Sequence, residues 1–154
     1  MKKLTVLLTA LIIGGMMFTS CKKTDPEPTP GTNTKTVEYS IPTTLAGNTM
    51  SPGLYFNIKY TGADGNPVSL ENVAAPWSQS ITVVPPFEAK CEVEVVLNQD
   101  ELPDKVSFCQ FLAIKCGNLD IFNKYHLDST KEKLINLSIE HPEKMRYSKT
   151  LSIQ

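Results

Sequence analysis

The side chains able to do chemistry are few and scattered along the chain. Thiols come from Cys21, Cys91, Cys109 and Cys116. No Cys-x-x-Cys pair occurs among them, and Phe108 and Phe111 beside Cys109 would raise a thiol pKa rather than lower it. A buried, inert Cys109 is therefore expected. His126 and His141 are the two histidines, and a zinc site built on them would have to recruit Cys109 or carboxylates. Asp64, Asp100, Glu101 and Asp104 lack the alternating acidic spacing of a calcium loop and read as turn formers. Serine, histidine and aspartate are all present, but no Gly-x-Ser-x-Gly elbow presents a nucleophile. No carboxylate pair stands out for glycoside hydrolysis, which needs two held about 5 to 10 Å apart across a cleft. Trp77, following Pro76, is either a core plug or a stacking platform for a sugar or lipid. These residues predict neither an enzyme nor a bound cofactor or metal.

The best-defined chemistry lies at the amino end. Met1-Lys2-Lys3 precedes an apolar run from Leu4 to Phe18, and Phe18-Thr19-Ser20-Cys21 follows. The run falls short of the roughly 20 residues a membrane span needs, so residues 1–20 read as a targeting segment. Small residues directly before a cysteine resemble the lipobox of bacterial lipoproteins, which implies that the Cys21 thiol is diacylated and becomes the first residue after cleavage. Two acyl chains give lasting anchorage where one does not. Residues 21–35 then read as a tether, because Pro26, Pro28 and Pro30 forbid helix and favour an extended chain reaching about 40 Å at ~3.1 Å per residue. Lysines and acids after the cysteine are similar to the start of Bacteroidota lipoproteins. The resemblance implies a place in the cell envelope, expected at the outer membrane on its periplasmic or surface face. Asp128-Ser129-Thr130 resembles the Asp-Ser/Thr-x acceptor of Bacteroidota O-glycosylation and marks Ser129, with a plain turn as the alternative. Removing Lys2 and Lys3 with the leader takes the formal charge from −1 to −3. No basic face for nucleic acid follows from that balance.

The elements that must position the remaining residues show mostly a period of two. Residues 36–41, 54–60, 68–73, 80–84, 90–97 and 106–115 read as strands, the last apolar on both faces as a central strand would be. Asp64-Gly65 supplies positive φ angles for a tight hairpin. Residues 134–140 alternate and can return through His141-Pro142 to 145–153 as a carboxy-terminal β-hairpin. A short helix from Lys131, capped by Ser129 or Asp128, is the alternative. Strands separated by turns, without crossover helices, predict an all-β antiparallel sandwich over residues 36–154.

Three stretches, Tyr60-Thr61-Gly62-Ala63-Asp64-Gly65, Val73-Ala74-Ala75-Pro76-Trp77-Ser78 and Cys91-Glu92-Val93-Glu94-Val95, resemble the extracytoplasmic domain of the mycobacterial membrane protein small family. Phe111-Leu112-Ala113-Ile114-Lys115-Cys116 would be its closing strand. The resemblance covers residues 54–116. It implies an immunoglobulin-like sandwich, a disulfide joining Cys91 to Cys116, and association with large membrane transporters. It carries no catalytic residues. The expected role is a non-enzymatic, lipid-anchored accessory or adhesion-like module that contacts another envelope protein. The alternative is a lipoprotein that binds a glycan, lipid or peptide.

Overall fold

The computed structural model describes residues 33–45 and 47–154. The expected leader, Cys21 expected to carry lipid, and nearly all of the expected tether lie outside the described residues. Alternating side chains and turn residues produce ten strands, in chain order β1 (Lys35–Ile41), β2 (Thr44–Leu45), β3 (Asn48–Thr49), β4 (Leu54–Thr61), β5 (Pro67–Ala74), β6 (Trp77–Val83), β7 (Phe87–Leu97), β8 (Lys105–Cys116), β9 (Leu119–Thr130) and β10 (Arg146–Ile153). A helix, α1 (Lys131–Glu140), and a 3-10 turn at Pro142–Met145 sit between β9 and β10.

Eight of these strands form two four-stranded sheets, in the orders β6-β1-β8-β9 and β10-β7-β4-β5, with β2 and β3 forming a separate short ribbon. All pairings are antiparallel. The protein is thus an all-β antiparallel sandwich. Its layering is that of immunoglobulin-like domains, with a strand order of its own: β1 and β4 lie in different sheets instead of side by side. The inner faces carry the core, including Val37, Tyr39 and Ile41 of β1 and Phe108, Leu112 and Ile114 of β8, together with Phe56 and Ile58 of β4 and Cys91 and Val93 of β7. Each is at most 1% exposed. Non-directional burial of these rows holds the layers together, and the hydrogen-bond ladders satisfy the backbone within each sheet.

Two local expectations change. The 61–67 hairpin is not a two-residue Asp-Gly turn. Gly62 donates to Asn66 (2.8 Å), Gly65 donates to Gly62 (3.0 Å), and Asp64 Oδ1 accepts from the Asn66 amide (3.0 Å). Only Gly65, at φ 80°, takes the left-handed conformation there. Asp64 stabilises the turn by bonding two residues onward, as short acidic side chains do.

The second change concerns the carboxy terminus, where the expected hairpin is replaced by a helix. Residues 131–140 are helical, and β10 pairs with β7, from Arg146 opposite Glu94 to Ile153 opposite Phe87. The cap is Thr130, whose hydroxyl accepts from the Lys133 amide (3.4 Å), in place of Ser129 or Asp128. The physical reason is spacing. Leu134 and Leu137 fall on one helical face, Glu132 favours the first turn, and Pro142 stands just beyond the last residue, so it limits the helix without forbidding it. Leu134 is fully buried against the core while Ile139 is 70% exposed. Buried Gln110 reinforces this end, its Nε2 donating to the Lys144 carbonyl.

This arrangement predicts an asymmetric response to truncation. Leu134→Ala should cost about 2–5 kcal/mol of unfolding free energy in urea titration. Ile139→Ala should stay within about 0.5 kcal/mol. Equal losses would mean that α1 is not docked through Leu134.

Candidate interaction edge

The feature most available for function is the free side of β9. Its sequence, Leu119 to Thr130, follows a two-residue turn in which Gly117 takes φ 58°. Glycine at the first central position suits the primed hairpin turns whose twist matches paired strands. The strand then pairs with β8 along its whole length, from Cys116 opposite Leu119 to Lys105 opposite Thr130. On its other side no strand is paired among the described residues. Asp120, Phe122, Lys124, His126 and Asp128 share the outer face with Ser107, Cys109, Phe111, Ala113 and Lys115 of β8. Leu119, Ile121, Asn123, Tyr125 and Leu127 share the other.

Three large apolar groups of this strand are exposed: Leu119 by 47%, Phe122 by 53% and Tyr125 by 46%. Phe122 stacks on Phe111, with ring centroids 6.4 Å apart and planes 7° from parallel. The result is a long row of backbone donors and acceptors flanked by aromatic rings. Natural edges are usually blunted against such availability. The other edges here are better protected. β5 begins at Pro67, carries a register shift opposite Phe56–Ile58, and places Asn72 at φ 53°. β6 is seven residues long and lies between Pro76 and Pro85. β10 carries Arg146 and Lys149, and Arg146 is ion-paired with Glu94 (2.5 Å).

Next to this edge the β8–β9 register brings Ser107 to a histidine and an aspartate that stand two residues apart on β9, His126 and Asp128. Ser107 Oγ lies 3.0 Å from His126 Nε2, and the same nitrogen lies 3.2 Å from Asp128 Oδ1. A catalytic triad uses both ring nitrogens, one held by the acid and the other facing the nucleophile. Here one nitrogen meets both partners, so the acid does not orient the imidazole toward the serine. Cys109 is directly opposite His126 in the ladder but only 1% exposed. Burial pushes its thiol pKa up, against a smaller lowering from the Ser107 hydroxyl. The cluster reads as a polar clasp between β8 and β9, joined to the preceding loop where Ser51 Oγ accepts from the Ser107 amide (2.8 Å).

The cysteine expectation is corrected. Cys91, Cys109 and Cys116 are all free and buried, and the Cys91–Cys116 disulfide is not formed. Cys91 lies in β7, opposite Tyr60 and Lys149, while Cys116 closes β8 in the other sheet, opposite Leu119. Burial, with a smaller contribution from Glu92, pushes the Cys91 thiol up to about 12. Burial likewise pushes the Tyr39 and Tyr147 phenols well above their ordinary range. Tyr147 Oη has no hydrogen-bond partner among the described residues.

Trp77 packs inward. Its ring centroid is 5.7 Å from that of Tyr60, itself 5.2 Å from Tyr39, and Trp77 is half-buried against the core. The neighbouring rings are buried, which suits a core plug better than an exposed stacking platform. Ser129 sits half-buried within β9 opposite Val106, in a strand and not in a plain turn. Asp64 is engaged with Asn66, and Glu101 accepts from Tyr55 (2.7 Å) and Asn98 (2.8 Å). No group of three or more metal-ligating side chains occurs among the described residues.

The outer face of the second sheet forms a shallow polar groove of about 580 Å³ over Asn57, Lys59, Ser69, Glu92, Glu94 and Arg146. It contains no aromatic ring facing outward from these strands, and its charges are largely paired, Lys90 with Glu92 (2.6 Å) and Arg146 with Glu94.

Sequence reasoning left residues 117–130 unassigned, and so missed the edge. The signals were Gly117-Asn118, a turn pair, and the alternation of Leu119, Ile121, Tyr125 and Leu127, which Asn123 and Phe122 interrupt. No protein-family model matches the chain, and a search of curated proteins returned no match.

Two outcomes follow from the thiols. Ellman's reagent at pH 8 should find no reactive thiol in the folded mature protein and three after denaturation. One would reveal a disulfide, and four would mean that Cys21 is unmodified. The second outcome concerns alkaline pH. A folded pKa raised above the unfolded value keeps its stabilisation below the unfolded value and loses it as pH climbs toward the folded one. From an ordinary value of 9.0 to about 12 for Cys91, the thermal midpoint should hold level up to pH 9 and then fall. Underlying that fall, the unfolding free energy should drop by at most about 1.4 kcal/mol per pH unit per group. Cys91→Ala should flatten the segment between pH 9 and 10, and an unchanged slope would remove Cys91 as the cause.

Proposed function

We propose that this protein is a non-enzymatic, lipid-anchored module of the bacterial cell envelope that works by contact, with β9 as its contact edge. The anchor reading rests on the apolar leader and on Cys21 behind Thr19-Ser20. The contact reading rests on one observation: β9 is a twelve-residue edge strand flanked by exposed Leu119, Phe122 and Tyr125. A strand edge binds by main-chain hydrogen bonds, and alternate side chains supply the selectivity. Such an edge suits an accessory or adhesion-like role beside a larger envelope protein. The resemblance to the mycobacterial membrane protein small family points toward a transporter as the neighbour. The outer membrane is the compartment this reading assigns.

A second reading, a ligand-binding lipoprotein, is favoured by the polar groove on the outer face of the second sheet. Paired carboxylates and cations without an outward aromatic ring suit a polar peptide better than a stacked sugar or a lipid chain.

In cells, labelled palmitate should be incorporated into the wild-type chain and not into Cys21→Ala. A photo-crosslinking amino acid at Phe122 should yield a discrete higher-mass adduct. The same probe at Glu71 in the groove should not. Adducts at Glu71 alone would favour the ligand reading, and no fatty acid on Cys21 would overturn the anchor.

A further inference from the structure

The partner that β9 fits best is a second β9. We infer that two copies of this chain join edge to edge through β9 about a two-fold axis at Asn123, giving one continuous eight-stranded sheet. The inference rests on reading β9 as a contact edge and names its occupant.

The register follows from the alternation. Residues directly opposite in an antiparallel pair point to the same side of the sheet. A two-fold axis perpendicular to the sheet keeps the outer face of one copy level with that of the other, so each outer residue must meet an outer residue. Only axes that pass through a residue satisfy this, and the choices near the middle of the strand are Phe122, Asn123, Lys124 and Tyr125. An axis at Tyr125 sets Ile121 against Ser129, Phe122 against Asp128 and Asn123 against Leu127, three apolar-to-polar pairs each made twice.

With the axis at Lys124, that lysine faces its own copy and Asp120 faces Asp128 twice, and like charges directly opposite are destabilising. With the axis at Phe122, Asn123 faces apolar Ile121 and the strand overlap ends at Tyr125. With the axis at Asn123, the overlap runs from Leu119 to Leu127 and every pair is matched. Leu119 meets Leu127, Ile121 meets Tyr125, and Asn123 meets Asn123. On the outer face Asp120 meets His126, and Phe122 meets Lys124, an aromatic face against an ammonium. Each unlike pair occurs twice by symmetry, as an isologous interface requires.

The same register accounts for the exposures. Leu119, Phe122 and Tyr125 are 47%, 53% and 46% exposed in the single chain, and each acquires an apolar or cationic partner in the pair. The cation at Lys124, which as a lone lysine would guard an edge against association, lies over Phe122 of the other copy. The helix α1 begins only after Thr130, beyond the overlapping residues 119–127.

The test uses the mature, lipidated full-length protein. Asn123→Cys should form a disulfide between copies under mild oxidation, because the axis sets the two Cα atoms within about 4.5–5.5 Å. The resident thiols of Cys91, Cys109 and Cys116 are buried and do not compete. Phe122→Cys and Lys124→Cys should each stay uncoupled alone and couple when the two variants are mixed, a readout that survives if Asn123→Cys disturbs its strand.

Charge gives an independent check. Phe122→Lys, which places two like-charge pairs in the interface, should weaken self-association of detergent-solubilised protein by about ten-fold. Adding Lys124→Asp to it should restore association. Self-coupling of Phe122→Cys or Lys124→Cys would overturn the register and with it the inference. A monomer with no coupling at Asn123 would also overturn it. If in that case the Phe122 photo-adduct contains a different protein, the contact-edge reading survives while self-pairing falls. If there is no adduct either, both fall.

Discussion

Two apolar sheet faces pressed together exclude water from the middle of this molecule, and every polar backbone group in the layers must therefore find its partner within the plane of its own sheet. That requirement is met for interior strands by neighbours on both sides. It is met only on one side at the rims. A sandwich of two open four-stranded sheets consequently ends in four edges, and how each is guarded decides where the protein can meet anything else. β5 is guarded by Pro67 and a bulge, β6 by its shortness and flanking prolines, and β10 by cations. β9 has one central lysine between aromatic side chains.

The same dry interior determines the fate of the chemistry-bearing residues. Thiols at Cys91 and Cys109, which could be nucleophiles in an exposed electropositive setting, are held protonated by burial. The phenol of Tyr147 lies inside with no hydrogen-bond partner among the described residues, a cost of order 1–3 kcal/mol that the surrounding burial must offset. At the surface, Ser107, His126 and Asp128 come together through the β8–β9 register, but their geometry clasps two strands. Proximity of the right residue types is not a mechanism when one imidazole nitrogen serves both partners.

The end of the sandwich shows how local preference and tertiary packing divide the work. Residues 131–140 carry both a two-residue alternation, Ile135, Leu137 and Ile139, and a helical face, Leu134 and Leu137. Short apolar patterns of this sort do not decide between strand and helix by themselves. What decides is that Leu134 finds a fully buried site in the core cluster that also holds Met145, while Ile139 is left in water, which a strand with its odd positions inward would not allow. The helix in turn delivers β10 to β7, completing the second sheet.

Much of the architecture was legible in the residues alone. Alternation in 36–41, 54–60, 90–97 and 106–115 marks the strands and their inner faces because a sheet buries one side chain in two, and turn residues mark where they end. The proposed leader and lipid site at Cys21 are read from local composition, which needs no fold to be read. What only the tertiary structure decided is whatever depends on which strands become neighbours. The partner of β10, the separation of Cys91 from Cys116 into opposite layers, the inward seat of Trp77 and the free side of β9 all depend on contacts between residues distant in sequence. A strand's own residues specify which face is buried, but whether its backbone is paired on one side or two is a property of the whole sheet.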